Sequence, residues 1–126
     1  MEITTPDVSL RQREIVKQYI TALDKHIDDL RAGKAEQVLE IRDFAGMLHV
    51  HPVHLSNTIK EVTGRSTCDL FEQRLLDLAK ELLLTTNHTI AHIAAQLTYD
   101  PSNFTKFFKH YTGITPKQFR QMNHKS

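Results

Sequence analysis

What the 126-residue chain lacks narrows it first. It has one cysteine, Cys68, so neither a disulfide framework nor a thiolate metal cluster can be built. Four Gly, four Pro and no Trp are too few for a turn-rich β fold. No apolar run approaches the ~20 residues of a membrane span. The N-terminus is polar and acidic, unlike a signal peptide, so no membrane partner is expected and the cytoplasm is the expected compartment. A glycine-rich phosphate loop, a nucleophile elbow and a pair of acids standing out from ordinary surface charge are all missing. The expectation is a protein that is not an enzyme and needs no cofactor.

What is present is helical. A composition of 40% hydrophobic and 25% charged residues suits a globular protein, and helix formers dominate. The length allows one domain or two small linked lobes. Net charge is only +1, but its distribution is uneven. Residues 1–87 carry 11 Lys+Arg against 14 Asp+Glu, whereas residues 88–126 carry five (Lys106, Lys109, Lys117, Arg120, Lys125) against Asp100 alone. A basic C-terminal third is the asymmetry that a polyanion-binding surface needs, although a solvated lysine-bearing end would show it too.

Periodicity places the elements. Residues 1–7 read as a frayed end, and Asp7 or Ser9 can cap a long helix running to about Ala32. In that helix Val16, Ile20, Leu23, Ile27 and Leu30 step by four and three into a narrow stripe. The stripe has two readings, packing onto the lobe that follows or pairing with a second copy as a homodimer. Gly33 suits the residue just past the helix end. A second helix is expected over residues 40–48, broken by His49-Val50-His51-Pro52, and a third from Pro52 to Thr63, ended by Gly64. Ser66 or Thr67 caps the next, whose Leu70, Phe71, Leu75, Leu78, Leu82 and Leu83 form a broad apolar face. Asn87 or Thr89 starts a helix with Ile90, Ile93, Ala94 and Leu97 inward. Asp100-Pro101-Ser102 starts another, striped by Phe104, Phe107, Phe108 and Tyr111, with Ser102, Asn103, Lys106 and Lys109 on other faces. Gly113 ends it, and Thr115-Pro116 opens a last helix carrying Phe119 and Met122.

Shifted by 49 positions, the chain overlays on itself. Ile41 falls on Ile90, Ala45 on Ala94, Leu48 on Leu97, Pro52 on Pro101, Lys60 on Lys109, Thr63 on Thr112 and Gly64 on Gly113. Apolar residues agree at nearly every step between. Two copies are too few for a solenoid, so two similar lobes joined by one helix are expected. Each copy is helix, short break, helix, the arrangement in which a second helix enters the DNA major groove. A joining helix of about 18 residues spans roughly 27 Å, against the ~34 Å at which major grooves recur on one face of B-DNA.

These residues resemble a known family. Ile93-Ala94, Tyr99, Phe104, Phe108-Lys109, Gly113, Thr115-Pro116 and Phe119-Arg120 look like the C-terminal signature of AraC/XylS-type transcriptional regulators. Ala45, Leu55-Ser56, Ile59-Lys60, Thr63-Gly64, Arg74-Leu75, Ala79 and Leu82-Leu83 match the first half of the same domain, and the resemblance covers roughly residues 40–122. It implies an all-α domain of about seven helices with two helix-turn-helix subdomains joined by a linker helix, and the long N-terminal helix read from periodicity is expected to precede them. Laid on this chain, the domain takes residues 8–126: 8–64 as the first lobe, 67–85 as the linker and 88–122 as the second lobe. The resemblance also implies binding to double-stranded promoter DNA, and activation through contact with RNA polymerase.

The base-reading positions that match are Val53, Ser56 and Asn57 in the first lobe and Ser102, Asn103 and Lys106 in the second. Val53 suits a thymine methyl and Asn57 suits adenine, while His54, Lys60, Thr105, Lys109 and Arg120 are expected on the DNA backbone. Two departures stand out. Many relatives carry Arg where this chain has Asn57 and Lys106, which predicts weaker dependence on guanine. Thr98 stands where the family has Gly, with His49 in the equivalent place. Either the second turn differs or Thr98 carries strain.

Other groupings read more simply. His49, His51 and His54 invite a metal, but no Cys or carboxylate cluster completes a coordination shell. His88 and His92 have i, i+4 spacing, yet His88 precedes its helix. The alternative to a DNA-binding regulator is a helical module that binds another protein through its corners and long N-terminal stripe.

Overall fold

The computed structural model describes residues 8–123. Seven α-helices account for the regular structure of those residues: α1 (Leu10–Arg31), α2 (Ile41–Leu48), α3 (Pro52–Thr63), α4 (Thr67–Thr85), α5 (Ile90–Gln96), α6 (Pro101–Thr112) and α7 (Pro116–Asn123). The expected frayed end at residues 1–7 lies outside the described residues, as does the alternative cap Asp7. The long N-terminal helix is itself the first of the seven.

Each start has a chemical cause. Ser9 Oγ accepts the Gln12 N–H at 3.1 Å while Gln12 Oε1 accepts the Ser9 N–H at 2.9 Å, a reciprocal capping box. Thr115 and Gln118 repeat it at α7, at 3.1 and 2.9 Å. Ser66 rather than Thr67 caps α4, its Oγ accepting the Asp69 N–H at 3.0 Å. Thr89 rather than Asn87 caps α5, accepting the His92 N–H at 3.0 Å. Helix α1 ends at Gly33, whose φ of +72° lets the Lys34 N–H reach back to the Asp29 carbonyl at 2.9 Å.

The chain divides into two compact units. Among the described residues, one holds residues 8–28 together with Leu39–Gln73; the other holds Asp29–Val38 together with residues 74–123. The first is built on Ile15, Val16, Tyr19 and Leu23 of α1, Phe44 and Ala45 of α2, and Leu55, Ile59 and Val62 of α3, with Leu70 of α4. His26 is buried there, its Nε2 accepting the Leu39 N–H at 3.1 Å, with its ring 6.3 Å from Phe71 in a stack. The second unit buries Leu75, Leu78, Ala79, Leu82 and Leu83 of α4, Ile93, Ala94 and Leu97, and Phe104, Phe107 and Phe108 of α6. In it Gln96 Nε2 donates to the carbonyls of Leu30 at 3.3 Å and Arg31 at 2.9 Å, closing the open end of α1.

The stripe of α1 is spent in this chain's own packing. Val16, Leu23, Ile27 and Leu30 are buried and Ile20 is half-buried. Pairing with a second copy through that stripe would need the face the fold already uses.

Candidate nucleic-acid interface

The repeat read from the sequence holds down to individual hydrogen bonds. Helices α3 and α6 are both 12 residues long and start 49 positions apart, each with Pro in its first turn. In the first corner His49 N–H donates to the Gly46 carbonyl at 3.2 Å and Val50 N–H to Ala45 at 3.0 Å; in the second, Thr98 donates to Ala95 at 2.9 Å and Tyr99 to Ala94 at 2.8 Å. His49 and Thr98 both take positive φ, 58° and 66°. Of the two possibilities for Thr98, the same turn with a strained residue is the one found, since a β-branched side chain is poorly tolerated there. At the far ends Thr63 Oγ1 donates to Ile59 at 2.7 Å, and Thr112 Oγ1 donates to Phe108 at 2.9 Å. Gly64 and Gly113 follow at φ of 75° and 81°.

Each second helix is held by one face only. Leu55, Ile59 and Val62 anchor α3, and Phe104 and Phe108 anchor α6, all fully buried. Full burial is worth about 1.5–3 kcal/mol for each such side chain, so either helix is fixed without using its outer face. Around the α6 anchors Tyr99 stacks on Phe107 with ring centroids 5.3 Å apart, and Phe108 meets Phe119 edge-on at 5.4 Å. Phe107 is therefore packing rather than a base-stacking platform.

The outer faces carry most of the residues the sequence proposes as readers. On α3, Val53, Asn57 and Lys60 lie four and three residues apart and are exposed, Val53 at 59%. On α6, Ser102, Lys106 and Lys109 occupy the corresponding places and are exposed as well. His54 and Asn103 are exposed, whereas Ser56 and Thr105 are half-buried at the flank of each helix. Lys60 Nζ lies 3.3 Å from the Gly64 carbonyl, which tethers it to the helix end.

The two helix starts differ. His51 Nδ1 accepts the Val53 N–H at 3.1 Å, so an imidazole caps α3. On α6 Asp100 accepts the Asn103 backbone N–H at 2.9 Å through Oδ1 and the Asn103 side-chain amide at 2.6 Å through Oδ2. Sequence reasoning anticipated the aspartate cap but not the imidazole one, because histidine is not among the usual cap residues.

Arg120 needs a correction. It was expected on the DNA backbone, but its guanidinium faces its own chain. Nε donates to the Leu83 carbonyl at 2.9 Å, Nη1 to His88 at 2.6 Å and Nη2 to Thr86 at 3.2 Å. Three of its five donors are spent closing the end of α4 and the connection after it.

Among the described residues, no group of three or more His, Cys, Asp and Glu side chains is placed to hold a metal. The His88 and His92 rings lie 4.2 Å apart on their own. No helix of the described residues is long and apolar enough to cross a membrane.

Comparison with known proteins agrees with this geometry. A family model described as a helix-turn-helix domain matches residues 44–122. The Bacillus subtilis bifunctional transcriptional activator/DNA repair enzyme AdaA is 33% identical over 107 residues, covering 84% of this chain and 49% of that protein. The C-terminal domain of AraT, a response regulator from Geobacillus stearothermophilus, is 30% identical with a TM-score of 0.78, covering 95% of this chain and 91% of that one. A transcriptional regulator from Chromobacterium violaceum, described as AraC-type, shares the fold at 17% identity with a TM-score of 0.73, covering 93% of this chain and 98% of that one. The chain spans half or less of the length of the curated relatives it matches, 34% and 49% for two of them. The chain belongs to the AraC/XylS-type helix-turn-helix family of transcriptional regulators, as the DNA-binding domain of that family.

Proposed function

We propose that this chain binds double-stranded promoter DNA in the cytoplasm and activates transcription, with α3 and α6 inserted into adjacent major grooves. The observation that carries the reading is the repeated exposed face: Val53, Asn57 and Lys60 on α3, and Ser102, Lys106 and Lys109 on α6, opposite anchors that are fully buried. A helix glued down on one side and polar or cationic on the other is what a groove accepts. The 19 residues of α4 make about 28 Å of helix, on the scale of the ~34 Å groove repeat.

Roles follow from side-chain chemistry. Val53 would touch a thymine methyl, Asn57 would pair with adenine, and Lys106 would reach guanine O6 or N7 without the rigid fork of an arginine. Ser56, Ser102 and Thr105 would serve bases or sugar-phosphate, and His54, Lys60 and Lys109 would fix register on phosphate. Arg120 is left out because its donors are committed to carbonyls. Activation is supported by the activator named among the relatives, and contact with RNA polymerase is the route we propose for it.

Selection of bound sites from random duplex DNA, followed by a salt titration on the selected site, tests the reading. Affinity should fall steeply between about 50 and 200 mM salt if several phosphates are neutralised. The selected site should contain two half-sites about one helical turn apart. No binding at the lowest salt would overturn the proposal. Transcription in vitro from a promoter carrying the selected site should rise when the chain is added; a fall would reverse the assigned sign.

A further inference from the structure

Asp100 spends both of its carboxylate oxygens on one residue. Oδ1 takes the Asn103 backbone N–H and Oδ2 takes the Asn103 side-chain amide, at 2.9 and 2.6 Å. The first bond is an ordinary helix cap. The second has a separate consequence. An ionised carboxylate accepts and cannot donate, so only the NH2 end of the Asn103 amide can face it. The oxygen and nitrogen ends of an amide have nearly the same shape, and without a partner either can lead. Here the nitrogen end is held back toward Asp100, with Oδ1 and one N–H left to act.

Asn103 is exposed in the first turn of α6. The first lobe has no equivalent arrangement. Forty-nine positions earlier the pair is His51 and His54, and His51 caps through the Val53 N–H. The clamp therefore belongs to the second lobe alone.

Resting on the reading that α6 lies in the major groove, we propose that Asp100 is a positioning residue. It fixes Asn103 with its acceptor leading, and so makes the second lobe prefer adenine over guanine at one base pair. Adenine offers an N6 donor beside the N7 acceptor, which suits an Asn presenting Oδ1 and one N–H. Guanine offers N7 and O6, both acceptors, and Oδ1 would meet O6 with no proton between them. An outward NH2 with two free protons would suit guanine instead. The carboxylate decides between these by occupying one end of the amide.

Asp100→Asn tests this in the intact chain. Asparagine caps helices about as well as aspartate, so the fold and α6 should be kept; a thermal melt checks this. Its side chain, however, turns a donating NH2 toward residue 103, and Asn103 should reverse its amide and lead with NH2. The readout is the ratio of affinities for duplexes carrying adenine or guanine at that single position of the selected site. Wild type should favour adenine by roughly 5- to 150-fold. Asp100→Asn should move the ratio toward guanine, and Asn103→Ala should bring it near one. The lost negative charge would raise affinity for both duplexes alike, so it cancels from the ratio, which a purely structural role of Asp100 would also leave unmoved. Binding with an unchanged adenine preference in Asp100→Asn, or a position indifferent to Asn103→Ala, would overturn this inference alone. Absence of all binding by the wild-type chain at low salt would overturn the proposed function together with it.

Discussion

His49 and Thr98 hold the same left-handed position in two copies of one turn, at φ of 58° and 66°, and each donates its N–H to the carbonyl three residues back. A left-handed conformation costs a non-glycine residue ~1–2 kcal/mol, and branching at Cβ makes it worse. The second lobe therefore carries more backbone strain in its turn than the first.

Thr98→Gly should relieve that strain. The expected gain is about 1 kcal/mol in unfolding free energy, after allowing for the extra freedom glycine gives the unfolded chain. Urea denaturation reads it as a higher midpoint with an unchanged slope. His49→Gly should gain less. A destabilised Thr98→Gly would mean that the threonine side chain contributes more than its backbone costs.

The capping difference between α3 and α6 gives a second expectation. Replacing His51 by the residue its partner lobe uses, His51→Asp, places a carboxylate at the positive end of α3 and a better acceptor in front of its free N–H groups. Stability at neutral pH should rise by ~0.5–1 kcal/mol. Thermal melts of wild type and variant at matched ionic strength check it. No rise would mean that the Val53 N–H bond to His51 already supplies an equivalent cap.

How much of this was legible beforehand depended on how local the cause is. Pro52 and Pro101 at helix starts, Gly64 and Gly113 at their ends, and the Phe104 and Phe108 anchors declare themselves through short-range rules, and all stand where the sequence put them. The 49-residue shift carried the fold further, because a repeat transfers each local inference to a second place. Arg120 failed for the opposite reason. Its three carbonyl partners, Leu83, Thr86 and His88, lie more than 30 residues away in sequence. No spacing rule within one helix announces such a role, so a basic residue near other basic residues read as a phosphate contact. The Asp100–Asn103 clamp sits between the two. Its cap was visible, but the side-chain half needs a rotamer that only coordinates supply.

Cys68 is exposed, yet its thiol should be slow to react. Its pKa is pushed above the ordinary thiol value by partial burial, then by the charge of Glu72 and a hydrogen bond to it, and last by Asp69. Both carboxylates disfavour a nearby thiolate, which is the reactive form. Alkylation near pH 8 should be slower than for a free cysteine peptide, with the rate rising at higher pH than the peptide's. Glu72→Gln should restore part of it. An alkylation profile matching the free peptide would contradict this account.

Arg120 and Lys109, both read from sequence as phosphate contacts, should separate cleanly. Arg120 holds three carbonyls of its own chain, and hydrogen bonds from a charged donor are worth more than neutral ones. Arg120→Ala should lower unfolding free energy by about 2 kcal/mol. Arg120→Lys should recover only part of it, because one ammonium cannot reach three carbonyls in the plane of a guanidinium fork. Lys109 is exposed on the outer face of α6. Lys109→Ala should leave the melting curve within about 0.5 kcal/mol of wild type. It should weaken DNA of every sequence alike and reduce the salt slope by roughly one phosphate's worth. Measuring the urea midpoint and the salt slope on each variant decides the matter. If Arg120→Ala melts like wild type but loses salt dependence, its guanidinium is on the DNA and the three carbonyl bonds give way to phosphate.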